Sequence, residues 1–283
     1  MYNFPIGAMV DSFRQDTREA IKTAASIGVK GLQMYSTTGE NSPENLVGQK
    51  RRDLLNFVKD QGLVFSAICG DLGKAFIYAD RNIELVEKSK RIMDLAKELE
   101  SDVVTTHIGV VPTDKTCDRY KIMQDACYEL AQYADSMGSH FAVETGPELA
   151  VTLKSFLDDL GSTGVAVNLD PANFAMVTKD DPVQAVYTLQ KYIVHTHAKD
   201  GINLLPADPE AVYSEMQHDQ WDSVELFREL PLGQGAVDFP RYLKALEEIG
   251  YKGFLTIERE CGGNPVADIK LAADYLRKVI AEN

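Results

Sequence analysis

The chain has 283 residues, 45% hydrophobic and 25% charged, with 12 Tyr and 11 Phe spread along it. This excludes a disordered chain and a small disulfide-stapled scaffold. Lys and Arg number 29 against 43 Asp and Glu, a net charge of −14, so neither nucleic acid nor an anionic membrane is an expected partner. Cys69, Cys117, Cys127 and Cys261 form no C-x-x-C pair. No signal peptide is expected at the N-terminus, and no apolar run is long enough to span a bilayer. A cytoplasmic protein with reduced thiols is the expectation.

Short β-branched runs with little polar alternation recur at 4–9, 29–34, 63–69, 102–108, 140–144, 165–170, 192–197 and 253–258. Each reads as a parallel strand covered on both faces. Helical periodicity fills the intervals at 16–27, 43–61, 81–99, 115–137, 148–160, 182–190, 239–249 and 266–281. Gly28, Gly62, Gly138 and Gly250 stand where helices should close in the left-handed conformation. Eight alternating units over this length predict one domain, residues 1–283, of class α/β: a (β/α)8 barrel. A doubly wound open sheet is the runner-up, weakened by the lack of G-x-G-x-x-G after the first run. The interval from His197 to Glu258 is more than twice as long as the two preceding ones. Its excess, 201–237, has no strand-like run and predicts a long loop beside the active site, with one short helix near 223–230.

The last four runs end in ionisable residues: Val-Glu144-Thr-Gly, Leu-Asp170-Pro-Ala-Asn173, Val-His195-Thr-His197-Ala-Lys199-Asp200 and Ile-Glu258-Arg259-Glu. Charge beside an apolar strand is costly unless paired or bound to a metal. In a barrel these tips are neighbours on one rim, and Glu, Asp, His and Glu make a ligand set for one divalent ion. Carboxylate-rich ligation favours Mn²⁺, Mg²⁺ or Co²⁺, and the imidazole admits Zn²⁺. Singly, each residue also suits a loop salt bridge or a helix cap, as at Asp170-Pro171. The joint occurrence at consecutive strand ends is what points to a shared site. His195 and His197 face the same side of a strand, so one suffices as ligand and the other serves as wall.

The order Glu…Asp-x-x-[His/Asn]…His-x-[Lys/Asn]-Asp…Glu, with Gly-Gln-Gly-Ala-Val-Asp-Phe at 233–239, resembles the xylose isomerase-like TIM-barrel superfamily. That superfamily joins sugar and sugar-phosphate isomerases and epimerases with inosose and dehydroshikimate dehydratases and endonuclease IV. The resemblance covers the whole chain and is strongest over 141–262. It implies that Glu144, Asp170, His197 and Glu258 hold one divalent ion, Mn²⁺ first, with Mg²⁺, Co²⁺ or Zn²⁺ as alternatives. His197 takes the ligand position, rather than His195, because it heads His-x-Lys-Asp. The implied substrate is a small carbohydrate, a sugar or a sugar phosphate, that chelates the ion. Glu144 and Glu258 are then acid and base around a metal-stabilised enediolate, giving epimerisation or isomerisation.

His107, Asn173, Lys199, Arg259 and His195 are the candidate substrate contacts, with rim salt bridges as the competing role for Lys199 and Arg259. Asn173 departs from the histidine that several members carry there: its amide keeps hydrogen bonding but cannot be a general acid. Tyr35 and Cys69 are candidate pocket walls, and His140 is assigned to the opposite barrel end. His218 and Trp221 lie in the long loop as lid or as solvated chain. Gly262-Gly263-Asn264 suits an anion or a plain turn. A dehydratase, or a 3-keto-sugar lyase or hydrolase, uses the same ligand set and is the alternative. An endonuclease IV-like function is disfavoured by five histidines and the acidic charge. Self-association into a homo-oligomer is left open.

Overall fold

The structure, a computed structural model, describes residues 2–206, 208–213 and 225–282. Its centre is a closed barrel of eight parallel strands. In chain order these are β1 (Ile6–Met9), β2 (Gly31–Tyr35), β3 (Val64–Cys69), β4 (Val103–Thr106), β5 (His140–Glu144), β6 (Val165–Leu169) and β7 (Ile193–Ala198). An antiparallel pair follows, β8 (Asp200–Asn203) and β9 (Phe227–Leu230), and β10 (Leu255–Ile257) closes the barrel between β7 and β1. Each predicted run contains or overlaps one barrel strand.

Helices α1 (Thr17–Ile27), α2 (Gly48–Asp60), α3 (Ala79–Glu98), α4 (Asp118–Met137) and α5 (Ala150–Leu160) cover the first connections. A short α6 (Pro171–Asn173), α7 (Pro182–Leu189), α8 (Pro209–Tyr213), α9 (Phe239–Glu248) and α10 (Pro265–Glu282) complete the chain. Local chemistry sets their ends. The Asp16 carboxylate accepts from Glu19 N–H at the start of α1, and Gly28 closes it at φ +84°. Leu32, Phe141, Val165 and Leu246 are among the fully buried side chains of one continuous core. Strand packing against these helices is what the missing polar alternation encoded.

Two expectations for the late part of the chain are corrected. Residues 227–230 form β9, not a helix, and β8 is a strand within the predicted loop. Asp200 pairs with Leu230 and Asn203 with Phe227. Four-residue strands carrying Gly201, Arg228 and Glu229 have too little apolar periodicity to register as strands. His218 and Trp221 lie outside the described residues. After β6 the helix start anticipated at Asp170-Pro171 is formed: Asp170 caps α6 by accepting from Asn173 N–H, and the helix runs into a π-turn at Phe174–Thr178.

One carboxylate secures the two ends of this excursion. Asp200 accepts the backbone N–H groups of Gly201, Gly233, Gly235 and Val237 at 2.9–3.1 Å. A Cβ on Gly235 would stand 2.1 Å from Asp200 Oδ1, so the second glycine of the 233–239 segment is required by that approach.

Candidate active site

The strand register places polar side chains inside the barrel. Pairing between β2 and β3 slips by one residue between Leu32 and Gln33, and pairing between β6 and β7 slips between Val167 and Asn168. Such bulges re-aim side chains. Here they precede the two buried amides that hold the two histidines of β7. The slip at Val194 sets His195 opposite Asn168. His195 Nδ1–H then donates to Asn168 Oδ1 (2.9 Å), and its Nε2 accepts from Thr256 Oγ1 (2.9 Å). Burial and the neighbouring His197 push His195 well below its ordinary pKa. It is a neutral ring under the site.

His197 turns Nδ1 toward three carboxylates: Asp170 Oδ2 at 3.2 Å, Glu258 Oε2 at 3.3 Å and Glu144 Oε1 at 3.7 Å. One ligand atom from each of these four residues lies within 4.8 Å of every other. The residues come from the tips of β5, β6, β7 and β10, which are consecutive around the barrel. Burial works against a charged His197, yet Glu258 and Glu144 outweigh it and hold the ring well above its ordinary pKa.

Three buried carboxylates meet few cations here. Lys199 Nζ lies 3.0 Å from Glu258 Oε2 and also bonds Glu260. Burial opposes the charge on Glu258, but Lys199 and then His197 keep its pKa well below the ordinary range. An excess of inward-facing negative charge around one imidazole nitrogen fits a divalent cation held by Glu144, Asp170, Glu258 and His197 Nδ1.

A layer of amides orients these groups. His197 Nε2 lies 3.0 Å from Gln33 Oε1, and Gln33 Nε2 donates to Thr105 Oγ1 (2.9 Å). Asn168 Nδ2 donates to Glu144 Oε2 (3.3 Å) and Asn173 Nδ2 to Glu144 Oε1 (3.0 Å). Gln33, Asn168 and Thr105 are site residues not expected from the sequence. Their signal was an amide or hydroxyl inside an apolar run, a costly placement unless the group is bonded.

A cavity of about 200 Å3 opens above the cluster, reached by Glu144, Glu258, Asn173, Lys199 and His107. It is smaller than the roughly 300–1,000 Å3 pockets that take drug-sized ligands, so it suits a compact molecule. Asp170 and His197 are fully buried beneath it. His107 bonds Asp71 through Nδ1 (3.0 Å) and stacks near Tyr213. Its buried Nε2 makes no hydrogen bond among the described residues and lies 3.7 Å from Glu144 Oε1. Tyr35 and Cys69 line the same cavity.

Two substrate-contact candidates stand elsewhere. His195 is bonded in the barrel interior, as described. Arg259 donates to Glu229 Oε1 (2.5 Å) and Asp268 Oδ2 (3.1 Å), pinning β9 and α10 to the loop after β10. In the Gly262–Asn264 turn, Asn264 Oδ1 accepts from Ala267 N–H and Gly262 O accepts from Arg14. His140 lies at the opposite barrel end, bonded to Thr163 O.

The structure is a closed (β/α)8 barrel with a buried Glu–Asp–His–Glu cluster at the C-terminal rim that could hold a metal ion. The chain belongs to the xylose isomerase-like TIM barrel family, whose model matches residues 21–279. Among solved structures it is similar to a xylose isomerase domain protein from Planctomyces limnophilus, with 25% identity, all of each chain covered and a TM-score of 0.81. It is also similar to a probable 3-DHS dehydratase involved in petrobactin synthesis from Bacillus anthracis: 18% identity, 96% of this chain and 98% of that one, TM-score 0.75. A third is 3-keto-D-glucoside 4-epimerase from E. coli: 15% identity, 97% and 99% covered, TM-score 0.71. The last two likenesses show the fold. An uncharacterized protein of Methanocaldococcus jannaschii is 26% identical over 209 residues, 69% of this chain. The chain spans 63% of that relative's length. Among the described residues, no helix is long and apolar enough to cross a membrane.

Proposed function

We propose that the chain is a divalent-metal-dependent isomerase or epimerase of a small carbohydrate, with Glu144 and Glu258 as its acid and base. One observation carries this reading: of the four clustered residues, only the two glutamates reach the cavity, and they do so from β5 and β10, on either side of Asp170 and His197. A divalent ion in the cluster, Mn²⁺ before Mg²⁺, Co²⁺ or Zn²⁺, would polarise a carbonyl and its neighbouring hydroxyl. Glu258, kept ionised by Lys199, suits proton abstraction from the carbon next to the carbonyl. Glu144, steadied by Asn173 and Asn168, suits proton delivery from the other side. Delivery to the same carbon inverts it; delivery to its neighbour interconverts aldose and ketose.

Incubation of the Mn²⁺-loaded protein with ketoses in deuterated water tests this by NMR. Deuterium should enter the carbon next to the carbonyl, and Glu258→Gln should abolish its entry. Full exchange in that variant overturns the two-glutamate mechanism.

Elimination is the second reading, favoured by His107. Its unbonded Nε2 beside Glu144 is a proton donor for a departing hydroxyl. The same spectra distinguish the two, since elimination consumes the sugar and yields an enone. The cavity is lined by four carboxylates, Asp71, Glu144, Glu258 and Glu260, against one lysine, which suits a neutral sugar and not a nucleic acid.

A further inference from the structure

Beside the metal-facing cavity lies a second and larger one, of about 470 Å3. The segments that wall the first continue into it. The chain after β4 runs from His107 to Val111, and the chain after β5 runs from Glu144 to Glu148. Tyr213 leads back along α8 to Pro209, and Val177 lines both cavities. The two are therefore adjoining compartments of one barrel rim.

The walls of the second cavity are largely apolar, including Val110, Pro112, Pro147 and Leu149. Its ionisable groups are Asp114, Glu148, Glu210 and Arg119, and the Arg119 guanidinium is engaged by Glu210 at 2.5 Å. Glu148 is buried, with Oε2 accepting from Val111 N–H at 3.1 Å. Burial pushes its carboxyl up to about 8, which leaves a neutral group able both to donate to and to accept from hydroxyls. In the first cavity the single lysine is bonded to Glu258 and Glu260. Every cation lining either compartment among the described residues is thus already paired with a carboxylate. Apolar walls with one neutral hydrogen-bonding carboxyl match a ring with CH faces and hydroxyls; they do not match a phosphate.

We infer that the second cavity is a subsite for the second ring of an uncharged glycoside, whose reacting keto sugar sits between Glu144 and Glu258. The inference rests on the carbohydrate reading above and adds the substrate class: a glycosyl-ketose or glycosylated keto sugar, not a free or phosphorylated monosaccharide.

Calorimetric titration of the Mn²⁺-loaded full chain tests it with D-fructose, D-fructose 6-phosphate and the glycosyl-ketoses isomaltulose, maltulose and lactulose. At least one glycosyl-ketose should bind roughly tenfold or more tightly than D-fructose, and the 6-phosphate should bind no better than D-fructose. Val110→Trp and, separately, Thr152→Trp fill the second cavity and should erase the glycosyl-ketose gain, with D-fructose affinity held within about twofold. Equal affinity for all sugars, preference for the phosphate, or parallel loss of D-fructose in both filled variants overturns the inference. Tight glycosyl-ketose binding without deuterium exchange sinks the acid–base mechanism and leaves the subsite standing. Exchange on D-fructose with no gain from a second ring does the reverse.

Discussion

Gln33 Oε1 meets Nε2 of His197 at 3.0 Å across the barrel interior. This contact decides which imidazole nitrogen faces the carboxylates: with Nε2–H donating to the amide, Nδ1 is left on the side of Asp170, Glu144 and Glu258, where it would give its lone pair to a bound ion. Gln33→Leu should therefore weaken divalent-metal affinity by about 10–100-fold. Competition with a metal-binding dye measures it, and wild-type affinity would show that packing alone orients the ring.

Metal removal should unsettle the whole barrel, because it leaves three carboxylates facing one another in a buried site. An ion present at a hundred times its dissociation constant adds about 2.7 kcal/mol. For a chain of this size that is a rise of roughly 4–5 °C in Tm. Thermal melts with chelator, then with Mn²⁺ restored, should show the loss and its recovery. An unchanged Tm would argue that the cluster is charge-balanced by its own residues.

Arg259 tests the separation of architecture from chemistry. Its guanidinium and the Glu229 carboxylate are both nearly enclosed, and removing one partner of a buried pair costs about 3–5 kcal/mol. Arg259→Met should lower the urea midpoint strongly while metal affinity stays near wild type. A variant of normal stability that loses metal or substrate would place Arg259 in the site after all.

Glu148 gives the chain a signed pH dependence. Its folded pKa of about 8 stands above an ordinary value of 4.5, raised by burial, with Glu210 adding and Val111 N–H and His107 opposing. The folded state therefore holds the proton that the unfolded state releases between these values. The stability this contributes is complete below about 4.5 and declines until the pH has passed about 8, by a few kcal/mol at most. Denaturation of wild type and Glu148→Gln over pH 5–8.5 measures it: the variant's curve should be flatter. Parallel curves would mean that Glu148 is ionised throughout.

The barrel was legible because strands covered on both faces leave apolar runs, and because glycines such as Gly28 and Gly138 mark helix ends. The four clustered residues were legible because an ionisable group at the end of such a run is out of place. Arg259 had the same outward signal, but its partner Glu229 sits in β9, a strand too short and too charged to be recognised. Gln33 and Asn168 were illegible for another reason. Their importance comes from two register slips, and a slip depends on pairing between strands, which no single run encodes. The second cavity was equally hidden, since loops after β4, β5 and β6 acquire a common wall only in three dimensions.

Asp200 gathers four backbone N–H groups from both ends of the excursion between β7 and β10. The excursion that separates the strand carrying His197 from the strand carrying Glu258 is thereby latched at its base by one side chain, beside the direct pairing of β7 with β10.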